Sequence, residues 1–254
     1  MGTVNSAIMP GSEPFSSEGG PLGVLVLHGL TGTTSSVIDV AQRCARAGYT
    51  VLVPRLPGHG TSVEDMMTTT WADWSGAALT AYDELAQRTT RQAVVGLSMG
   101  GGLSAYVAQR RADVAACVFI NPLVKPPAPE LLEGLAQLLD AGVGTIDAIG
   151  SDVKRAGVAE LAYAATPLTC AKSLFDGVAE LYQSLDLITA PSLLLSSRED
   201  HVVTSDNGDD LMALVSGPIE RVWLDDSYHV ATIDNDRALV ESLTRDFIHR
   251  AVGR

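Results

Sequence analysis

The chain is 254 residues long, 46% hydrophobic and 19% charged, with a formal net charge of -13 at pH 7. That length and apolar content suit one large domain, or one domain with an insertion, and exclude a disordered chain. The acidic balance argues against nucleic acid, whose phosphates call for clustered Lys and Arg, and against basic docking on an anionic membrane.

The N-terminal "MGTVNSAIMPGSEP" lacks a basic region followed by an apolar run, so no secretory signal is expected. It does match Met-Gly-x-x-x-Ser, a myristoylation pattern that short sequences often meet by chance. "GVLVLHG" (23–29) is an apolar run ending in turn residues and predicts a buried strand. "VIDVAQRCARAG" (37–48) has helical spacing and stops at a glycine; "YTVLVP" (49–54) predicts a second strand. Residues 71–88 predict a helix, "QAVVGL" (92–97) a strand, "GGLSAYVAQRR" (101–111) a helix and "ACVFINP" (116–122) a strand. Further on, "SLLLSS" (192–197) and "ERVWL" (220–224) predict strands, with helices near 206–216 and 235–251. Alternating helices and continuously apolar strands mean an α/β fold whose mostly parallel sheet is covered on both faces.

Residues 125–188 interrupt the alternation. They carry helical patterns and no convincing strand, and they far exceed an ordinary connection. The expected organisation is a core of 1–124 and 189–254 with a small helical cap, 125–188, over the carboxyl ends of the strands, where open α/β sheets bind ligands. No apolar run reaches the roughly 20 residues that span a bilayer, so no integral membrane association is expected. Cys44, Cys117 and Cys170 are odd in number and lack metal-ligand spacing, which suits a reducing, cytoplasmic compartment. Cys117, inside "ACVFI", reads as a small buried hydrophobe.

The densest chemical signal is "VVGLSMGGGLS" (94–104). Gly96-Leu97-Ser98-Met99-Gly100 is Gly-x-Ser-x-Gly between a predicted strand and a predicted helix, the setting of a nucleophile elbow. Side chains at its two glycine positions would collide with the neighbouring strand and helix, and the serine at the apex is held strained and exposed. Gly102 has no clear part beyond close helix packing.

A serine hydroxyl needs a base. His229, in "LDDSYHVATID", follows the last strand on a loop able to reach the elbow. His28 and His59 sit in turns, His201 adjoins the expected acid and should point away, and His249 lies on the terminal helix. Asp200, just past the "SLLLSS" strand, supplies the orienting carboxylate in the chain order serine, acid, histidine. Glu199 is its understudy; Asp225 and Asp226 should end a strand, and Asn121, where some such enzymes place the acid, cannot hold negative charge. The oxyanion donors should be the backbone N–H groups of Met99, after the nucleophile, and Leu30, in "HGLTGT" after the first strand.

Taken together, "HGLTGT", "AGYTVLVPRLPGHGT", "TTWADW", "VGLSMGG", "GSDVK", "REDHVV" and "SYHVATID" resemble the bacterial monoacylglycerol lipases and their sibling carboxylesterases, from about residue 10 to the C-terminus. The resemblance implies an α/β-hydrolase core with a small cap, serine esterase chemistry without a cofactor, and catalytic positions at Ser98, Asp200 and His229 with Leu30 and Met99 as oxyanion donors. It also implies that Glu160, in "AELAYAATP", can meet the glycerol end of a substrate; the competing reading is a solvated glutamate on a helix. Ala164 and Ala165 make this cap more apolar than the family pattern. The expected partner is an ester or monoacylglycerol substrate, bound by a monomer or homodimer. A simple carboxylesterase, a thioesterase or a carbon–carbon bond hydrolase could use the same three residues.

Overall fold

The computed structural model describes residues 7–252; the Met-Gly-x-x-x-Ser pattern over residues 1–6 lies outside the described residues. In chain order the elements are β1 (Phe15–Ser17), β2 (Leu22–Leu27), α1 (Ile38–Arg46), β3 (Thr50–Val53), α2 (Val63–Met66), α3 (Trp71–Ala86), β4 (Arg91–Leu97), α4 (Met99–Arg110) and β5 (Val114–Ile120). They continue with α5 (Pro129–Asp140), β6 (Thr145–Asp147), β7 (Ala165–Pro167), α6 (Leu168–Tyr182), β8 (Ser192–Ser197), α7 (Asp206–Leu214), β9 (Ile219–Leu224) and α8 (Arg237–Val252).

The strand sequences are apolar throughout because both of their faces are covered. In β2, Leu25 and Leu27 enter a core under α3, α4 and α6, beside Trp74, Leu103 and Leu174. Val24 and Val26 point the other way, into a core under α1 and α8 with Val40, Val240 and Ile248. β5 alternates likewise, with Cys117 and Phe119 on the first face and Ala116, Val118 and Ile120 on the second. Each fully buried Val, Leu, Ile or Phe side chain among these contributes roughly 1.5–3 kcal/mol, and the two cores fix the sheet between its helices.

The main sheet has seven strands in the order β1-β3-β2-β4-β5-β8-β9. Only the pair β1–β3 is antiparallel. The chain moves outward from β2 to β3 and then returns to lay β4 on β2's other side. That reversal makes the carboxyl ends of β2 and β4 a topological switch point, where open α/β sheets leave a crevice. Register brings Leu27 of β2 opposite Gly96 of β4, and Leu97 opposite Ile120 of β5.

The inserted segment differs from the sequence expectation. It holds α5 and α6, yet between them β6 and β7 form an antiparallel ribbon, Thr145↔Pro167 to Asp147↔Ala165. Three-residue strands, one of them wholly exposed, are too short for apolar alternation to reveal. α6 packs against α3 and α4, burying Leu174, Val178 and Leu181 in their core. The edge strand β1 and the single turn of α2 were likewise not expected from sequence. Among the described residues no helix is long and apolar enough to cross a membrane. All three cysteines are buried and free, and Cys117 has no exposed surface.

Candidate active site

Ser98 stands between the end of β4 and the first residue of α4 with φ 57° and ψ −121°. A serine does not choose that backbone; the turn imposes it. A Cβ at Gly96 would lie 1.9 Å from the Gly100 carbonyl oxygen, and one at Gly100 would lie 2.1 Å from the Leu27 carbonyl oxygen. Strand, helix and neighbouring strand can approach this closely only over glycine, so the apex is pushed clear of the sheet and Ser98 stays partly exposed. Gly102 also answers to packing, since a Cβ there would meet the Leu123 carbonyl oxygen at 2.5 Å.

The turn is tied to its neighbours. The Ser98 N–H donates to Ile120 O at 3.0 Å. The next residue, Asn121, adopts φ 42° and turns its side chain to the loop after β9, donating from Nδ2 to His229 O at 2.8 Å and to Ser197 Oγ at 2.9 Å. Asn121 Oδ1 accepts from Ser197 N–H at 2.7 Å. The amide at this position therefore holds the histidine loop to the ends of β5 and β8.

His229 and Asp200 meet in the interior: Nδ1 lies 2.8 Å from Oδ2, with side chains 7% and 4% exposed. The other carboxylate oxygen, Oδ1, accepts from the backbone N–H groups of Val202 at 2.9 Å and Val203 at 2.8 Å. A carboxylate fixed at both oxygens cannot follow the imidazole, so it sets the ring's orientation and keeps the proton on Nδ1. Glu199 faces outward instead, paired with Lys154 Nζ at 3.3 Å. His201 also turns away, with Nδ1 2.8 Å from Asp152 Oδ1. Asp225 and Asp226 follow the last residue of β9.

His28 and His59 are buried and serve the loops. His28 accepts from Leu56 N–H at Nε2 (3.2 Å) and donates from Nδ1 to Gly29 O (3.0 Å); burial lowers its pKa to about 4. His59 donates from Nδ1 to Pro57 O at 2.9 Å, and burial lowers its pKa to about 3. These neutral rings shape the turns after β2 and β3. His249 is exposed on α8.

The loop after β2 passes beside Ser98: a Cβ at Gly29 would lie 3.4 Å from Ser98 Cβ and 3.8 Å from its Oγ. Leu30 is the next residue of this loop, and Met99 opens α4, so its N–H has no carbonyl to meet within its own helix. Thr31, at φ 58°, bends the loop so that its carbonyl accepts from Tyr163 N–H at 3.1 Å. That bond ties the inserted segment to the loop after β2.

Glu160 lies in this segment, and not on a helix as the sequence suggested. Gly150 and Gly157, at φ 82° and 76°, break helical continuity, and the Glu160 N–H donates to Ser151 Oγ at 2.7 Å. Its carboxylate turns inward over the β2 loop. Ser36 Oγ donates to Oε1 at 2.6 Å, and a Cβ at Gly32 would come within 2.5 Å of the same oxygen. Burial raises the Glu160 pKa above 4.5; the Ser36 hydrogen bond and the field of His229 oppose that rise. Among the described residues no group of three or more His, Cys, Asp or Glu side chains could hold a metal ion.

A family model described as "Serine aminopeptidase, S33" matches residues 22–236. The chain belongs to that family. It is 41% identical over 251 residues to the thermostable monoacylglycerol lipase of Bacillus sp. (strain H-257), covering 97% of this chain and 98% of that protein. It is 26% identical over 244 residues to a carboxylesterase of Bacillus subtilis (strain 168), covering 94% and 96%. Its fold superposes with a TM-score of 0.92 on a solved structure described with the metagenome-derived lipolytic enzymes LipS and LipT, at 39% identity over 96% of this chain and 100% of that one. The chain is thus a serine hydrolase of the S33 family with the α/β-hydrolase fold.

Several residues that build this candidate site carry little signal of their own in the sequence. In the sequence Asn121 reads only as a residue unable to serve as the acid, and Asp152 only as part of the "GSDVK" stretch. Asp234, 1% exposed, accepts from the N–H groups of Lys154, Arg155, Tyr228 and Asn235. A usable signal existed: an aspartate inside a loop otherwise able to be buried needs donors, and nearby backbone is the commonest source.

Proposed function

We propose that this S33 hydrolase cleaves carboxylic esters, monoacylglycerols foremost, through Ser98, His229 and Asp200 and an acyl-enzyme intermediate. The observation that carries the reading is the buried His229–Asp200 pair at 2.8 Å, held to the strand ends beside the strained Ser98 turn. With its proton on Nδ1, His229 presents a basic Nε2. His229 takes the Ser98 proton as Oγ bonds to the ester carbonyl carbon. The N–H groups of Leu30 and Met99 receive the negative oxygen, and the N-terminus of α4 adds partial positive charge. The carbon–oxygen bond to the alcohol then breaks, and His229 returns the proton to the leaving oxygen. Water repeats the sequence on the acyl-enzyme, releasing the fatty acid and restoring Ser98.

Glu160 supports the choice among esters. With Oε1 engaged by Ser36, its second oxygen can accept from free glycerol hydroxyls. A triacylglycerol has none and would leave that carboxylate desolvated and unpaired, which is costly. A cytoplasmic setting agrees with the three buried free thiols.

The test is a panel of monoacylglycerols of graded chain length, a triacylglycerol, p-nitrophenyl esters, acyl thioesters and amino-acid p-nitroanilides, together with fluorophosphonate labelling. Monoacylglycerols should give the highest kcat/KM, and label should fall on Ser98. Faster cleavage of thioesters or amino-acid anilides, or label on another residue, overturns the reading.

A further inference from the structure

Asp152 lies in the inserted segment just after Gly150 and belongs to no helix or strand. Its side chain is only 11% exposed. Oδ2 accepts from the His229 backbone N–H at 3.0 Å and from the His201 backbone N–H at 3.2 Å. Oδ1 lies 2.8 Å from the His201 ring at Nδ1. The Asp152 carbonyl also accepts from Val230 N–H at 3.1 Å. His201 adjoins Asp200. One carboxylate therefore ties three stretches together: the inserted segment, the loop carrying the acid and the loop carrying the base.

We propose that Asp152 is a positioning residue for His229, fixing the histidine's main chain while Asp200 fixes its ring. The proposal rests on the catalytic reading of Ser98, His229 and Asp200. His229 is gripped at both of its peptide groups, the carbonyl by Asn121 Nδ2 at 2.8 Å and the N–H by Asp152. With both ends held, the Cα–Cβ direction is set and the ring has little freedom beyond the torsion that Asp200 settles. Removal of one grip lets the loop after β9 shift, and displacement of a catalytic group by about 1 Å can cost on the order of 100-fold in rate. Asp234 cannot replace the lost contact: its acceptors hold Lys154, Arg155 and Tyr228, never His229 itself. The arrangement also explains why the segment bearing Glu160 and the base stay in register. Ser151, whose Oγ accepts from Glu160 N–H, immediately precedes Asp152.

The experiment measures kcat and KM of the full chain on p-nitrophenyl acetate, which is too small to need Glu160, for wild type, Asp152→Ala, Asp152→Asn and Asp152→Glu. Folding is followed by thermal melting. Asp152→Ala should lower kcat by roughly 10- to 100-fold with KM changed by less than about 2-fold. Asp152→Asn should recover kcat to within about 3-fold of wild type, because its amide oxygen still accepts from both backbone N–H groups and its amide N–H can meet the His201 ring. Asp152→Glu keeps the charge but displaces the carboxylate by one methylene, so it should lose kcat as Asp152→Ala does; it carries the test if Asp152→Ala does not fold. Wild-type turnover in Asp152→Ala or Asp152→Glu, a loss confined to KM, or an Asp152→Asn no better than Asp152→Ala overturns the proposal. Ser98→Ala is the control. Activity surviving there means the serine reading has failed. A silent Ser98→Ala beside a wild-type Asp152→Ala means that only the positioning role has failed.

Discussion

Glu160→Gln separates recognition of the alcohol from chemistry on the acyl group. Ser36 Oγ donates to Oε1 at 2.6 Å, and the β2 loop crowds that oxygen at Gly32, so Oε2 is the acceptor left for substrate. In the glutamine variant the amide oxygen keeps the Ser36 bond and places an NH₂ where Oε2 stood. A donor then faces the substrate hydroxyl, and one charged hydrogen bond of about 1.5–3 kcal/mol is lost. That converts to roughly 10- to 150-fold in kcat/KM for 1-monolauroylglycerol. The same variant should hydrolyse p-nitrophenyl acetate within about 2-fold of wild type, since that substrate has no hydroxyl to recognise. Because burial raises the Glu160 pKa above 4.5, protonation begins at a higher pH than for an exposed glutamate. The wild-type preference for monoacylglycerol over acetate should therefore decline on the acid side, and the variant's should not. Steady-state kinetics on both substrates across pH gives the answer. Equal losses on the two substrates, or a preference that ignores pH, would refute glycerol recognition by Glu160.

Asp200→Asn should cut kcat by about 10⁴-fold through loss of imidazolium stabilisation and of the correct tautomer, whereas Glu199→Gln, on an outward-facing side chain, should stay within a few-fold; the reverse ranking in the same assay assigns the acid to Glu199. Gly96→Ala sets a Cβ 1.9 Å from the Gly100 carbonyl oxygen and should cost more than about 4 kcal/mol, read as loss of soluble folded protein or a collapsed Tm; a wild-type melt contradicts the packing account of the turn. His28 and His59, with pKa values lowered from 6.5 to about 4 and about 3 by burial, take up protons on unfolding. Their contribution to stability is present above pH 6.5 and is lost as pH falls toward those folded-state values, at up to about 1.4 kcal/mol per pH unit for each ring. Urea unfolding between pH 7.5 and 4.5 should show that decline, and His59→Asn should make it shallower; an unchanged slope in the variant means His59 is not a source.

The local sequence was enough to reveal the α/β class and the Ser98 turn. "QAVVGLSMGG" announces strand, tight turn and helix by composition alone, because only glycine tolerates carbonyl oxygens as close as 1.9 and 2.1 Å to where Cβ would stand. Continuous apolar runs at β2, β4, β5 and β8 declared a sheet buried on two faces, because side chains on both sides of each strand enter a core. Tertiary structure alone decided the arrangement around the histidine. Asp152 stands 77 residues from His229, and Asn121 stands 108 away. No periodicity encodes which buried amide or carboxylate will meet which backbone group, since that depends on how the strand ends converge. Glu160 shows the limit most clearly. Its apolar neighbours suggested a helix, yet glycines at positive φ and the bond to Ser151 hold it in irregular chain. Its partner Ser36 is 124 residues away in sequence, brought near because the inserted segment folds over the loop after β2.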